Sequence, residues 1–155
     1  MSKIKTVGIV GTGVIGTGWI IRNLAHNKIV HAYDQNKNLK SYVLKEIKRT
    51  SKSIKKLFGK KILIKNLKFF NSLEKALVNV DFVQESVLEN YKVKTDLIHK
   101  ISKYVKSDII ISSSSSGLLP SKIFSKSENP QRGIIGHPFN PAYLLPAVEI
   151  VPGKK

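Results

Sequence analysis

The chain of 155 residues contains no cysteine. Neither a disulfide framework nor a thiolate metal site or cysteine nucleophile can be built from it. It also lacks any apolar run approaching the roughly 20 residues of a helical membrane span. Its opening "MSKIKTVGIVGTG" breaks its own apolar stretch with glycines. These absences point to a soluble cytoplasmic protein with no membrane partner and no metal. Acidic residues are scarce as well: 10 Asp and Glu stand against 27 Lys and Arg, a net charge of +17. An excess of that size invites an anionic partner such as nucleic acid, a membrane surface or a phosphorylated cofactor. From Asn36 to Lys68, however, the lysines alternate with apolar residues at helical spacing and do not interleave with stacking aromatics. A solvated helix face accounts for them, and no nucleic-acid partner is expected.

What is present is an alternation. "IKTVGIV", Ile4 to Val10, is short, apolar and β-branched, the pattern of a buried strand. From Val14 to Asn27, Ile15, Trp19, Ile20 and Leu24 recur at helix spacing, and "IVHAYD" then reads as a second strand. A long amphipathic helix follows, with Leu39, Val43, Ile47, Ile54 and Leu57 on one stripe. Strand-like "LKFF", a short helix "SLEKALV" capped by Ser72, and strand-like "VDFVQESV" continue the series. Val93, Leu97, Ile101 and Val105 mark another helix, before "DIIISSSSSG" and "RGIIGH" supply two more strands. Strands alternating with helices predict an α/β fold: a Rossmann-type, doubly wound, mainly parallel sheet with helices on both faces. The length fits one domain with a substantial core.

"GTGVIG" sets Gly11, Gly13 and Gly16 in GxGxxG spacing between a predicted strand and a predicted helix. Gly11 permits a tight turn, Gly13 lets backbone approach a pyrophosphate, and Gly16 lets helix and strand pack closely. Val14 and Ile15 open the helix, whose N-terminal amides and dipole favour a phosphate without any cationic side chain. Asp34 ends the second strand, eighteen positions after Gly16, where a carboxylate can bind ribose hydroxyls and repel a 2′-phosphate. The expected cofactor is NAD. By itself a GxGxxG is weak, since glycines often mark only turns; the strand, helix and Asp34 around it carry the reading.

Near the end, "GHPFNPAYLLPAVEI" places His137 in a proline-rich turn and Glu149 in an apolar run. A histidine held by a carboxylate can take a proton from a substrate hydroxyl while hydride leaves the same carbon. On residue chemistry alone, His137 reads equally as a hydrogen-bonded turn histidine, and Glu149 as an exposed strand residue. The run Ser112 to Ser116 reads either as a flexible loop or as hydroxyls facing a ligand at the carboxyl end of a strand. His26, His31 and His99 lie in predicted helices or a strand and look structural.

Taken in order, "GIVGTGVIGTGW", "YD", "DFVQESVLEN", "SSSSSGLLP" and "GHPFNPAYLLPAVEIV" resemble the NAD-binding domain of the L-3-hydroxyacyl-CoA dehydrogenase superfamily. The resemblance covers essentially the whole chain. It implies that His137 is the catalytic base, Glu149 its carboxylate partner, and Ser116 a contact to substrate and histidine. It further implies that Asn140 lies beside nicotinamide and substrate, and that Glu85 lines the cofactor cleft. Lys92 and Lys94 match a family segment near the cofactor and acyl-carrier phosphates. The wording "GHPFNPAYLLP", in place of the more usual "HFFNP", is similar to the carnitine 3-dehydrogenase and lambda-crystallin (L-gulonate 3-dehydrogenase) branch. "SSSSSGLLP" points the same way, so a free hydroxy acid, carnitine first, is expected ahead of a CoA thioester. The family continues into a helical domain for substrate and for homodimer contact, whereas this chain stops at "VPGKK". Residues 1–155 are therefore expected to be a cofactor-binding fragment with little turnover alone. An NAD(H)-binding module without catalysis is the rival from another class.

Overall fold

A computed structural model describes residues 4–153. The alternation of the sequence becomes β1 (Thr6–Val10), α1 (Val14–Ala25), β2 (Ile29–Tyr33) and α2 (Leu39–Phe58). There follow β3 (Leu67–Phe70), α3 (Leu73–Leu77), β4 (Phe82–Glu85) and α4 (Tyr91–Tyr104). The chain closes with β5 (Ile111–Ser113), a short α5 (Pro120–Ile123), β6 (Gly133–Pro138) and β7 (Val148–Pro152). Most ends differ from the sequence expectation by a residue or two, as caps and frayed turns commonly do, but β5 covers only Ile111–Ser113 of the expected "DIIISSSSSG".

All strands join one sheet in the order β3-β2-β1-β4-β5-β6-β7. The first six are parallel neighbours, and β7 alone runs antiparallel, on β6. Strand order reverses between β1 and β4, the point where a doubly wound sheet opens its ligand crevice at the carboxyl ends of the strands. Central β1 has neighbours on both edges and helices on both faces. That burial explains why "TVGIV" is almost continuously apolar instead of alternating. One core cluster joins Ile9, Ile20, Leu24, Val30 and Ile47; the other joins Leu77, Val83, Ile98, Ile111 and Ile135.

Of the lysine-rich segment, Leu39–Phe58 forms the expected helix, with Lys45, Lys48, Lys52, Lys55 and Lys56 on its exposed side, whereas Lys60, Lys61, Lys65 and Lys68 lie beyond it, Lys68 in β3. The buried residues of α2 are Val43, Ile47, Thr50 and Ile54. The stripe is shorter than expected: the core reaches along α2 only to Ile54, and Leu57 is 62% exposed. Ser72 caps α3 by accepting from the Lys75 amide, and Asn90 caps α4 by accepting from the Val93 amide. Among the described residues, no helix is long and apolar enough to cross a membrane.

Candidate functional site

The glycine turn lies at the strand-order reversal. Gly11 has φ +89°, and a Cβ there would meet the Ser86 carbonyl at 2.7 Å. A Cβ on Gly16 would stand 1.9 Å from the Gly11 carbonyl oxygen, so α1 can sit this close to the turn only with glycine. Gly13 differs: its Cβ would enter space with no atom of the described residues within 4 Å. Gly13 also caps α1 through its backbone alone, and the first turn carries no acidic side chain. The leading amides of Val14 and Ile15 and the positive helix end are left for a ligand, which fits a pyrophosphate.

Asp34 follows β2 and is tied to this turn. One carboxylate oxygen accepts the Thr12 amide at 2.6 Å and its hydroxyl at 3.3 Å, while the other accepts the Asn36 amide at 2.8 Å. Fixed in this way, the half-buried carboxylate keeps lone pairs that could accept a further donor such as a ribose hydroxyl.

The carboxyl ends of β4 and β5 are joined by a charged cluster. Lys94, only 1% exposed, donates to both oxygens of fully buried Glu85 at 2.8 and 3.0 Å and lies 3.5 Å from Glu89. Glu85 also accepts from the Ser113 hydroxyl and the Val87 amide. Glu89 collects the Ser115 hydroxyl at 2.5 Å, the Ser116 amide at 2.9 Å and the Gly117 amide at 3.2 Å. Burial pushes the Glu89 carboxyl up, but these donors and Lys94 outweigh it and hold it below the usual range. Glu85 therefore does not line an open cleft: its oxygens are consumed within the protein, because so buried a carboxylate needs a cation and donors. Lys94 is consumed likewise, whereas Lys92 is exposed on the first turn of α4.

His137 and Glu149 stand directly opposite each other in the antiparallel register of β6 and β7. The imidazole Nδ1 lies 2.8 Å from a Glu149 carboxylate oxygen, with the side chains 30% and 59% exposed. A carboxylate only accepts, so Nδ1 carries the proton and Nε2 of the neutral ring keeps a free lone pair. Ser116 is exposed and hydrogen-bonded through its amide to Glu89; among the described residues it makes no hydrogen bond to His137. Asn140 lines a cavity of about 180 Å³ between α1, α2 and the Pro141–Tyr143 turn, with Thr17, Tyr42 and Arg49. That turn is held on α1 by Gly18, whose Cβ would approach Ala142 to 3.0 Å, and by Arg22 donating to the Ala142 and Leu145 carbonyls. His26, His31 and His99 bond through Nδ1 to Lys60, the Ala76 carbonyl and the Lys126 carbonyl, away from this region. Among the described residues no group of three or more His, Asp or Glu side chains is placed to hold a metal ion.

Sequence reasoning assigned no role to Thr12, Ser86 or Glu89, and it did not single out Ser114 within the serine run. Ser114 Oγ is met by Trp19 Nε1 at 3.2 Å, Gln84 Nε2 at 2.8 Å and Ser86 Oγ at 2.8 Å. Each of these residues lies inside one of the quoted motifs, but only the fold brings the motifs together.

A parallel sheet reversing at a glycine turn, with an acid directly after β2, defines a dinucleotide-binding protein. The chain matches the family described as "3-hydroxyacyl-CoA dehydrogenase, NAD binding domain" over residues 6–155, and it belongs to that family. It is similar to an L-carnitine dehydrogenase of Pseudomonas putida, 42% identical over all of this chain and 49% of the relative. A second L-carnitine dehydrogenase, from a Pseudomonas species, is 41% identical over 99% of this chain and 48% of its own length. Among solved structures, 3-hydroxybutyryl-CoA dehydrogenase of Escherichia coli shares the fold with a TM-score of 0.86, at 23% identity, over 96% of this chain and 32% of that one. The chain thus spans about half the length of the curated relatives it matches.

Proposed function

We propose that residues 1–155 form the NAD-binding half of an NAD-dependent dehydrogenase that oxidises a free 3-hydroxy acid, L-carnitine first, to the 3-oxo acid. The observation that carries the reading is the cross-strand His137–Glu149 pair, 2.8 Å apart at the carboxyl end of β6. NAD, when bound, supplies the hydride acceptor. The amides of Gly13, Val14, Ile15 and Gly16 hold its pyrophosphate, Gly11 makes the turn, and Asp34 takes the ribose hydroxyls. His137 Nε2 removes the proton from the substrate hydroxyl, while Glu149 fixes the tautomer and stabilises the imidazolium that forms. Ser116 and Asn140 orient the substrate oxygen and the reacting carbon. Relatives named L-carnitine dehydrogenase, 36–42% identical in the range from Burkholderia mallei to Pseudomonas putida, support the choice of substrate. Dimer formation and completion of the substrate pocket belong, on this reading, to the half of those relatives that these residues do not match.

The test is NADH formation by the longest product of the reading frame with L-carnitine, L-gulonate and L-3-hydroxybutyryl-CoA in parallel. Turnover of carnitine is expected, and His137→Ala should lower it by about 10² to 10⁴-fold. Turnover of the CoA ester alone would move the substrate to a thioester. Activity within a few-fold of wild type in His137→Ala would end the general-base assignment.

A further inference from the structure

Donor and acceptor bookkeeping around Ser114 fixes the direction of a hydrogen-bond chain that ends at the glycine turn. Trp19 Nε1 is a donor and nothing else. Gln84 Nε2 lies 3.4 Å from the Gly136 carbonyl as well as 2.8 Å from Ser114 Oγ. A carbonyl oxygen only accepts, so the atom facing it is the amide nitrogen, and Gln84 also donates to Ser114. These two donors occupy both lone pairs of the Ser114 oxygen. Its own proton must then go to Ser86 Oγ, 2.8 Å away. Ser86 accepts in that contact, which leaves its proton without an acceptor among the described residues.

Ser86 sits where that proton matters. It directly follows β4, its amide donates to the Val10 carbonyl, and its carbonyl lies against Gly11. Its Cβ would be 3.5 Å from a Cβ placed on Gly16. The hydroxyl is half-buried in the crevice between the ends of β1 and β4, beside the first turn of α1. We propose that Ser86 is a dinucleotide-binding residue: its hydroxyl, oriented outward by Trp19 and Gln84 through Ser114, donates to a pyrophosphate oxygen of the cofactor. This inference rests on the cofactor reading above. It adds a side-chain donor to a turn that otherwise offers backbone amides, and it makes Trp19 and Gln84 positioning residues.

The test is fluorescence titration of the 155-residue chain with NADH, with ADP-ribose as a competitor. A hydrogen bond to a charged oxygen is worth enough that Ser86→Ala should weaken both ligands about tenfold. Trp19→Phe frees a lone pair on Ser114, lets Ser86 turn its proton inward, and should weaken both ligands by a smaller factor. Thermal melts of each variant separate loss of binding from loss of fold. An unchanged NADH affinity in folded Ser86→Ala would overturn the proposal. A loss confined to NADH, with ADP-ribose unaffected, would overturn the pyrophosphate assignment. Failure of the wild-type chain to bind either ligand would instead strike at the cofactor reading itself.

Discussion

Lys94 is the residue whose environment departs furthest from what its chemistry favours. A lysine ammonium is almost never buried unless paired, and here it is fully buried between Glu85 and Glu89. Neutralising it leaves a buried carboxylate with too few partners, so Lys94→Met should lower stability by about 3–5 kcal/mol. Urea unfolding would check this, and a loss below 1 kcal/mol would mean that water reaches Glu85. His31 supplies a pH signature. Burial pushes its imidazole below the ordinary 6.5, although the Ala76 carbonyl partly opposes this, and Lys68 adds to the lowering. The unfolded chain then binds the proton more tightly than the folded one. The stability present above pH 6.5 is lost as pH falls towards the folded value. Glu89, held below its ordinary 4.5, adds a second loss at lower pH. His31→Gln should reduce the first loss and leave the second, as read from unfolding midpoints between pH 7 and pH 3. None of this was legible in sequence: a lysine between apolar residues in "YKVKTDL" reads as a helix face, and nothing local marks which of two lysines turns inward.

At the scale of elements, the β1-turn-α1 unit was readable in advance because glycine there answers to local geometry. Gly11 needs positive φ, and Gly16 lies on its own chain's Gly11 carbonyl, five residues back. Gly16→Ala must push α1 off the turn; it should cost about 1–3 kcal/mol and abolish NADH binding. A variant that melts near wild type and still binds would show that the turn is not what holds the cofactor. The β6–β7 pair was less readable. Its antiparallel register sets His137 opposite Glu149, but the intervening Phe139–Ala147 segment forms no regular element that spacing rules cover. Motif resemblance brought the two residues together before geometry did. The serine run divides in the same manner: Ser113 and Ser115 turn into the carboxylate cluster, Ser114 into the Trp19 chain, and Ser116 outward. A string of identical residues cannot announce such a division.

For the whole molecule, the strand order carries the account. Parallel strands on either side of the reversal gather the glycine turn, Asp34, the serine run and the His137–Glu149 pair at one end of the sheet, although these features are spread over 139 positions from Gly11 to Glu149. The excess positive charge does not define this end, since much of it lies on the outer face of α2. We propose that this end binds NAD in preference to NADP, which calorimetric titration of the 155-residue chain with NADH and with NADPH tests directly. If, as proposed, Asp34 takes the ribose hydroxyls and repels a 2′-phosphate, NADH should bind at least about tenfold more tightly, and Asp34→Ala should narrow the gap. Equal affinity for the two cofactors, or no binding of either, would contradict the account.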